Sequence, residues 1–343
     1  MRWKHAICVF WSANAAFKVQ VRLRNPLVLR HHDLQMPLHS PLSPERTQPR
    51  WPTIVVGVAI LGSWCGLTIG HRGPPVGVTI VLLAVVSCWH SSFQHELVHA
   101  RLTRRPGLQA LIGTFTVNLW FPFGDYRQLH LRHHRDESLT DPIDDPESWY
   151  VTEGAWATAS RPTHTILRAN RTLLGRLVVG PFLAVGSHAA WVFGEFAAGS
   201  ATRRRAWSHH LLAVAITLLW VHDVAEMPIW QYALGAVWGG TVLTLVRSFP
   251  EHRWAPDPAG RSAVVRSGPL VSLLFLHNNL HHAHHARPSV PWFGIPAVAR
   301  ELMSDEVARD GAGWYRGYGE VARRYFFHPF GTPVHPTPQD SRR

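Results

Sequence analysis

The apolar residues of this chain are gathered into uninterrupted blocks, and this distribution limits the possible folds more than any other feature. Blocks at residues 52–70, 76–92 and 229–245 approach the roughly 20 residues that an α-helix needs to cross a bilayer, and a shorter block covers residues 211–221. Soluble cores are built instead from short periodic segments. We therefore expect an all-α integral membrane protein with four transmembrane helices, arranged as two hairpins.

Two further apolar segments, residues 108–123 and 173–196, are interrupted by glycine and proline. We expect interfacial or re-entrant helices there, because such residues break a spanning helix. Arginines flank these segments, as at residues 203–205, and basic loops mark the cytoplasmic side of a membrane protein. The sequence thus predicts a protein of the inner cell membrane with a cytoplasmic cap after residue 247.

The ends of the chain differ in composition from this membrane domain, which we place at residues 51–330. Residues 1–50 contain neither a spanning segment nor a convincing cleavage site, and we expect them to form a disordered tail. Met36 precedes a proline-rich stretch, so the folded protein can also start near it. Residues 331–343 are expected to form a flexible tail.

The chain carries a formal charge of +12, nearly all of it from arginine. A nucleic-acid-binding protein would concentrate this charge on one polar surface, whereas here the arginines flank apolar blocks. The three cysteines have neither paired nor metal-type spacing. We therefore expect no nucleic-acid partner and no disulfide framework.

Histidine clusters are the second constraint, since 24 of the 343 residues are histidines. Three boxes stand out, with spacings of i, i+4 in the first and i, i+3, i+4 in the others. In a helix these spacings place the side chains on one face, directed towards one point, as metal ligands require. The three boxes comprise His95 and His99; His130, His133 and His134; and His281, His284 and His285.

Imidazole binds iron, zinc, copper and nickel alike, so the type of ligand does not identify the metal. Eight or more histidines are too many for one ion with an open position, which predicts two ions with four or five ligands each. Ligating imidazoles usually donate their other N–H to an acid. The carboxylates placed for this role are Glu96, Asp136, Asp141, Asp145 and Glu251.

The ordered boxes HxxxH, HxxHH and HxxHH around four spans resemble the membrane fatty acid desaturase and hydroxylase superfamily, over about residues 50–330. The bacterial desaturase-like branch is especially similar. There the second box is followed by an Asp-Pro-rich stretch, as at Asp141-Pro142 here, and the third follows Asn-Asn-Leu, as at Asn278-Asn279-Leu280.

This resemblance implies a non-haem diiron centre. Such a centre takes two electrons from a separate ferredoxin, rubredoxin or cytochrome, activates O2 and desaturates a fatty acyl or similar lipid chain. The family commonly adds one histidine after the last span, and His252 occupies that place as a ninth ligand. Some relatives hold a metal through an asparagine four residues earlier, where this chain has Ser248.

Several alternatives remain open. A hydroxylase or ketolase acting on an alkyl, sterol or carotenoid substrate would use the same centre, and a non-catalytic metal-binding membrane protein would need no electron donor. A zincin would use His95-Glu96-Leu-Val-His99 with Glu96 as base, but it does not account for the other boxes. His282 lies on a different helix face from the ligands of its box. For His277 two roles remain open, a further metal ligand or a residue that does not bind the metal.

Overall fold

The computed structural model describes residues 50–336, apart from the side chain of Asp136. Residues 1–49 and 337–343, which include most of both predicted tails, lie outside the described residues. The described part consists mainly of helices.

Its α-helices are α1 (Trp51–Ile69), α2 (Val76–His99), α3 (Pro106–Thr114), α4 (Phe123–His133), α5 (Glu153–Thr158), α6 (Arg161–Ala169), α7 (Leu173–Val178), α8 (Gly180–Ala197), α9 (Ala201–Leu219), α10 (Ile229–Ser248), α11 (Pro269–Leu274), α12 (His281–Ala286), α13 (Ile295–Glu301), α14 (Ser304–Asp310) and α15 (Tyr318–Tyr325). Short 3-10 turns cover Asp136–Ser138, Pro258–Arg261 and Trp292–Gly294, and a π-turn covers Trp220–Val224. Strands β1 (Val264–Val265) and β2 (Trp314–Tyr315) form one parallel pair.

Within residues 50–336, three helices are long and apolar enough to cross a membrane: α1, α2 and α10. They correspond to three of the four predicted spans. The fourth apolar block lies in α9, which begins at Ala201 and includes the three arginines at residues 203–205. These charges lower the mean hydropathy of α9, so the structure supports a helical membrane protein with three such spans.

Helices α2 and α10 pack closely because α10 presents glycines to α2. A Cβ atom at Gly235 would lie 2.9 Å from the carbonyl oxygen of Ile80, and one at Gly240 would lie 2.5 Å from the Cβ of Ser87. Small residues let two membrane helices approach each other in this way. Part of α10, Ala233–Gly239, has π-helical hydrogen bonding. This contact brings the ends of α2 and α10, with their histidines, together.

The predicted re-entrant segment forms α3, followed by a non-helical stretch that leads into α4. Its carbonyl groups are bound by side chains of the spanning helices: Gln94 Nε2 donates to Gly113 O at 2.8 Å, and the Tyr232 hydroxyl donates to Val117 O at 2.7 Å. Non-helical backbone at membrane depth requires such partners. The stretch is therefore anchored to α2 and α10, and it places the start of α4 beside them.

Residues after α10 form a cap over these helix ends. Apolar side chains from α13, α14 and β1 pack around Leu280, and a second cluster joins α7 to α15. Residues 331–336, the described part of the predicted C-terminal tail, pair with the segment before α5: Val151 N donates to Pro333 O at 2.9 Å. The cap thus extends from the end of α10 to the last described residue.

Candidate metal centre

All three histidine boxes lie at helix ends that meet beneath the cap. The first box occupies the last turn of α2, the second the last turn of α4 and its C-cap, and the third forms most of α12. His252 follows α10 by four residues, in a bridge with Ser262. Four separate parts of the chain therefore contribute histidines to one region.

The nine predicted histidines fall into two groups, and within each group the candidate ligand atoms all lie within 4.8 Å of one another. Either group could hold a metal ion, and the sizes match the four or five ligands expected per ion. The five-histidine group contains His95, His99, His130, His134 and His284. The four-histidine group contains His133, His252, His281 and His285.

The boxes do not each converge on one point, as their spacing had led us to expect. In the second box His130 and His134 belong to the five-histidine group, whereas His133 belongs to the four-histidine group. The third box is divided in the same way: His284 belongs to the five-histidine group, whereas His281 and His285 belong to the four-histidine group. Adjacent helical residues diverge by about 100°, so His133 and His134 face different groups, while residues four apart belong to the same group.

The contacts between ring nitrogens fit a bound cation. Nε2 of His252 lies 2.9 Å from Nε2 of His281, while the Nδ1 atoms of these two rings contact the carbonyl oxygens of Arg261 and Asn278. If each Nδ1 carries the proton, both Nε2 lone pairs face each other, which is unfavourable without a cation between them. Nitrogens bound at about 2.1 Å in neighbouring positions of one ion are separated by about 3.0 Å, which agrees with this contact.

Two carboxylates orient the second box. Asp145 Oδ1 lies 2.8 Å from Nδ1 of His133, and Glu147 Oε1 lies 2.7 Å from Nδ1 of His130. Each acid therefore accepts the Nδ1 proton and turns Nε2 towards a candidate ion, one in each group. Asp145 was among the acids proposed from the sequence. Glu147 was missed, and its only sequence signal is its position two residues after Asp145.

The other proposed carboxylates have different surroundings. Glu251 pairs with Arg247 at 3.1 Å and lies 3.6 Å from Nδ1 of His281, so it is also close to a box. Both oxygens of Glu96 instead lie 3.3–3.4 Å from the backbone nitrogen of Trp292.

Asp141 caps its own loop, since its Oδ1 accepts from the backbone N–H of Ile143 at 2.8 Å. The side chain of Asp136 lies outside the described residues. Asp145 and Glu251 thus each lie next to a box histidine, His133 and His281 respectively.

Burial keeps the histidines of the cap neutral. Burial and then the nearby His133 lower the pKa of His252 to about 3. The pKa values of His281, His284 and His285 are also held well below the usual histidine range, first by burial and then by neighbouring histidines. A neutral imidazole is the form that binds a metal.

His277 and His282 lie outside both groups. His282 Nδ1 contacts Ser304 Oγ at 2.8 Å, as expected for a side chain that points away from its box. His277 Nδ1 contacts the carbonyl oxygen of Trp292 at 3.1 Å, and the two rings stack. Both residues have structural contacts of their own in the cap.

Comparison with known proteins agrees with this arrangement. The profile of the family described as fatty acid desaturase matches residues 72–318, which include all three boxes and His252. A search of curated proteins found no match. The matched region covers well over half of the chain, and so this protein belongs to the fatty acid desaturase family.

Proposed function

We propose that this protein is a membrane-bound non-haem diiron oxidase that uses O2 and two electrons to desaturate a fatty acyl or similar lipid chain. The observation that carries the proposal is the pair of adjacent groups built from histidine alone, with five and four candidate ligands. The nine proposed ligands are the histidines of the three boxes and His252. A hydroxylase or ketolase would use the same ligands, and its product would be an alcohol or a ketone.

Two iron ions, when bound, would supply the activation of O2 for removing hydrogen from an unactivated C–H bond. The protein's own residues provide buried nitrogen ligands in a fixed orientation. Asp145 and Glu147 hold the Nδ1 protons of His133 and His130, so that Nε2 stays free for the ion. Burial of the boxes also limits the access of water to the site.

Electrons would come from a separate ferredoxin, rubredoxin or cytochrome, as the family resemblance implies. The exposed arginines Arg127 and Arg135 lie on and just after α4, next to the second box. A basic surface favours the approach of an acidic donor. We place this surface on the cytoplasmic side of the inner membrane, on the basis of the arginine-rich loops.

A zincin fits the site less well than an oxidase. Its glutamate base would have to face water on the metal, but both Glu96 oxygens are directed to the backbone of Trp292. A catalytic zinc site has about three protein ligands and leaves a position open for water. The five histidines of one group exceed this number. Glu96 is therefore assigned a structural contact between α2 and the cap.

Expression in a bacterial host tests the proposal. We expect two iron atoms per chain after anaerobic loading, and new unsaturated or oxygenated lipids by mass spectrometry. Conversion of His133 or His284 to alanine removes a ligand from the four- or five-histidine group, respectively, and should abolish product. His282→Ala is the matched control, because this residue lies next to a box but binds Ser304. It should keep both iron and product.

One tightly held zinc with peptide hydrolysis would contradict the oxidase. Two irons without reductant-dependent O2 consumption would instead favour a non-catalytic metal-binding protein. Lipid analysis of the active protein then distinguishes a double bond from a hydroxyl or keto group.

A further inference from the structure

Two arginines, one between α6 and α7 and one in α7, are buried without an acidic partner. Arg171 and Arg176 are 3% and 2% exposed. Among residues 50–336 no carboxylate pairs with either of them. Tyr150 is a hydrogen-bond partner of Arg171, while Arg253 repels Arg171 and Arg171 repels Arg176. A buried charge without a counter-ion is costly, and this cost is usually met by an acid or a bound anion.

Aromatic rings offset only part of this cost. The guanidinium of Arg176 lies 3.8 Å from the ring centre of Trp149, and that of Arg171 lies 4.4 Å from the ring centre of Tyr150. Stacking leaves the N–H groups in the guanidinium plane available for hydrogen bonds. Nε and Nη2 of Arg171 and Nη1 of Arg176 have no hydrogen-bond partner among the described residues. Hydrogen-bond donors therefore remain in excess here.

Arg171 lies behind the wall of a surface cleft. The cleft has a volume of about 420 Å³ and is lined by Tyr150, Arg253, Trp254 and Gly331, among others. Gly331 has a φ of +81°, and a Cβ there would point at Nη2 of Arg171, 3.7 Å away. The glycine thus leaves this guanidinium separated from the cleft by backbone alone.

The lining of the cleft is suited to an anion. Arg253 is exposed and acts electrostatically on Arg171, so positive charge comes from both the wall and the rim. Asp310 is the one acid among the described lining residues, and its charge is opposed by that of Arg253 on the same cleft. The cleft is larger than a free phosphate ion, which leaves room beside Trp254 for the rest of a phosphorylated molecule.

We propose that the cleft between Tyr150, Arg253 and Gly331 binds a phosphate group, held by Arg253 and by the charge of the buried Arg171 behind Gly331. Phosphate suits such a site better than a carboxylate does, since it carries more charge and more acceptor oxygens. The site is distinct from both histidine groups, although Arg253 directly follows His252 in the chain. It does not depend on the proposed oxidase activity.

The test is thermal unfolding of the full chain in detergent, followed by tryptophan fluorescence, with phosphate replacing chloride at constant ionic strength. A ligand that binds only the folded state raises the melting temperature, and we expect a rise of about 3 °C or more at saturation. Arg253→Gln should weaken the apparent phosphate affinity roughly tenfold or more, as expected for the loss of a charge-assisted hydrogen bond. Arg171→Gln should remove the response.

Arg168→Gln is the matched control, because Arg168 is exposed and lies over Trp156, one turn before Arg171. Phosphate also stabilises proteins non-specifically, and that effect is the same in every variant. An equal rise in the parent, Arg253→Gln and Arg168→Gln, or no rise in the parent, would overturn the proposal. Since Arg253 is exposed, its variant decides the matter even if Arg171→Gln does not fold.

Two further measurements in the same assay distinguish a soluble phosphorylated molecule from a lipid headgroup. Glycerol phosphate in solution and phosphatidic acid in the micelles are compared, with phosphatidylcholine as the lipid control. A response to phosphatidic acid that removes the effect of soluble phosphate identifies a lipid headgroup. A response to glycerol phosphate alone identifies a soluble phosphorylated molecule.

Discussion

Replacement of Asp145 by asparagine should weaken the binding of one metal ion and leave the binding of the other unchanged. The Asp145 side chain is 1% exposed, and its Oδ1 accepts the Nδ1 proton of His133 at 2.8 Å. His133 belongs to the four-histidine group, whereas the five-histidine group has no contact with Asp145 among those described. Asparagine keeps the size of the side chain but removes the charge, which makes the imidazole a poorer ligand.

The expected loss is about 10- to 100-fold in affinity for the ion of the four-histidine group, or about 1.4–2.7 kcal/mol. Anaerobic titration with ferrous iron against a coloured chelator measures both affinities. At iron concentrations that just fill both sites of the parent, the variant should retain close to one iron per chain. Asp144→Asn is the control, because Asp144 lies in the same loop, is 61% exposed and pairs with Arg132.

Parent-like binding of both ions in Asp145→Asn, or an equal loss of both, would refute this reasoning. Asp145 Oδ2 also accepts from the backbone N–H of Thr140 at 2.9 Å, so the substitution can loosen the loop. Thermal unfolding of the metal-free protein separates the two effects, since a loosened loop lowers the melting temperature before any iron is added.

Three further predictions concern the same framework. Glu147→Gln should weaken binding of the ion of the five-histidine group through His130 by a similar factor, measured in the same titration. The effect on the other ion should be smaller, because Glu147 Oε2 lies 4.0 Å from Nε2 of His133, and a larger loss at that site would contradict the prediction. His252→Ala should lower iron content and abolish lipid oxidation, and parent-like iron and activity would remove His252 from the site. Gly240→Ala should destabilise the contact between α2 and α10 by about 1–3 kcal/mol in thermal unfolding, whereas Gly62→Ala, which meets no atom within 4 Å, should not.

Much of the fold and of the candidate site could be predicted from local patterns. An apolar block of about 20 residues indicates a span wherever it lies, because the bilayer sets the required length. The fourth predicted span was less certain, since the apolar block at residues 211–221 is part of a longer helix that begins among arginines. Whether a helix spans depends on its whole length, and a local block does not show where the helix begins.

The histidine boxes were recognised from spacing alone, because residues four apart share a helix face in any context. The sequence by itself thus determined the membrane-helical class, the nine candidate ligands and the family. Only the tertiary structure decided which histidines lie together in each candidate metal-binding group. His133 meets His252 across 119 residues, and this contact exists only because α4, α10 and α12 end in the same space. Glu147 likewise gains its role from the fold of its loop, since its position two residues after Asp145 does not show that it reaches His130.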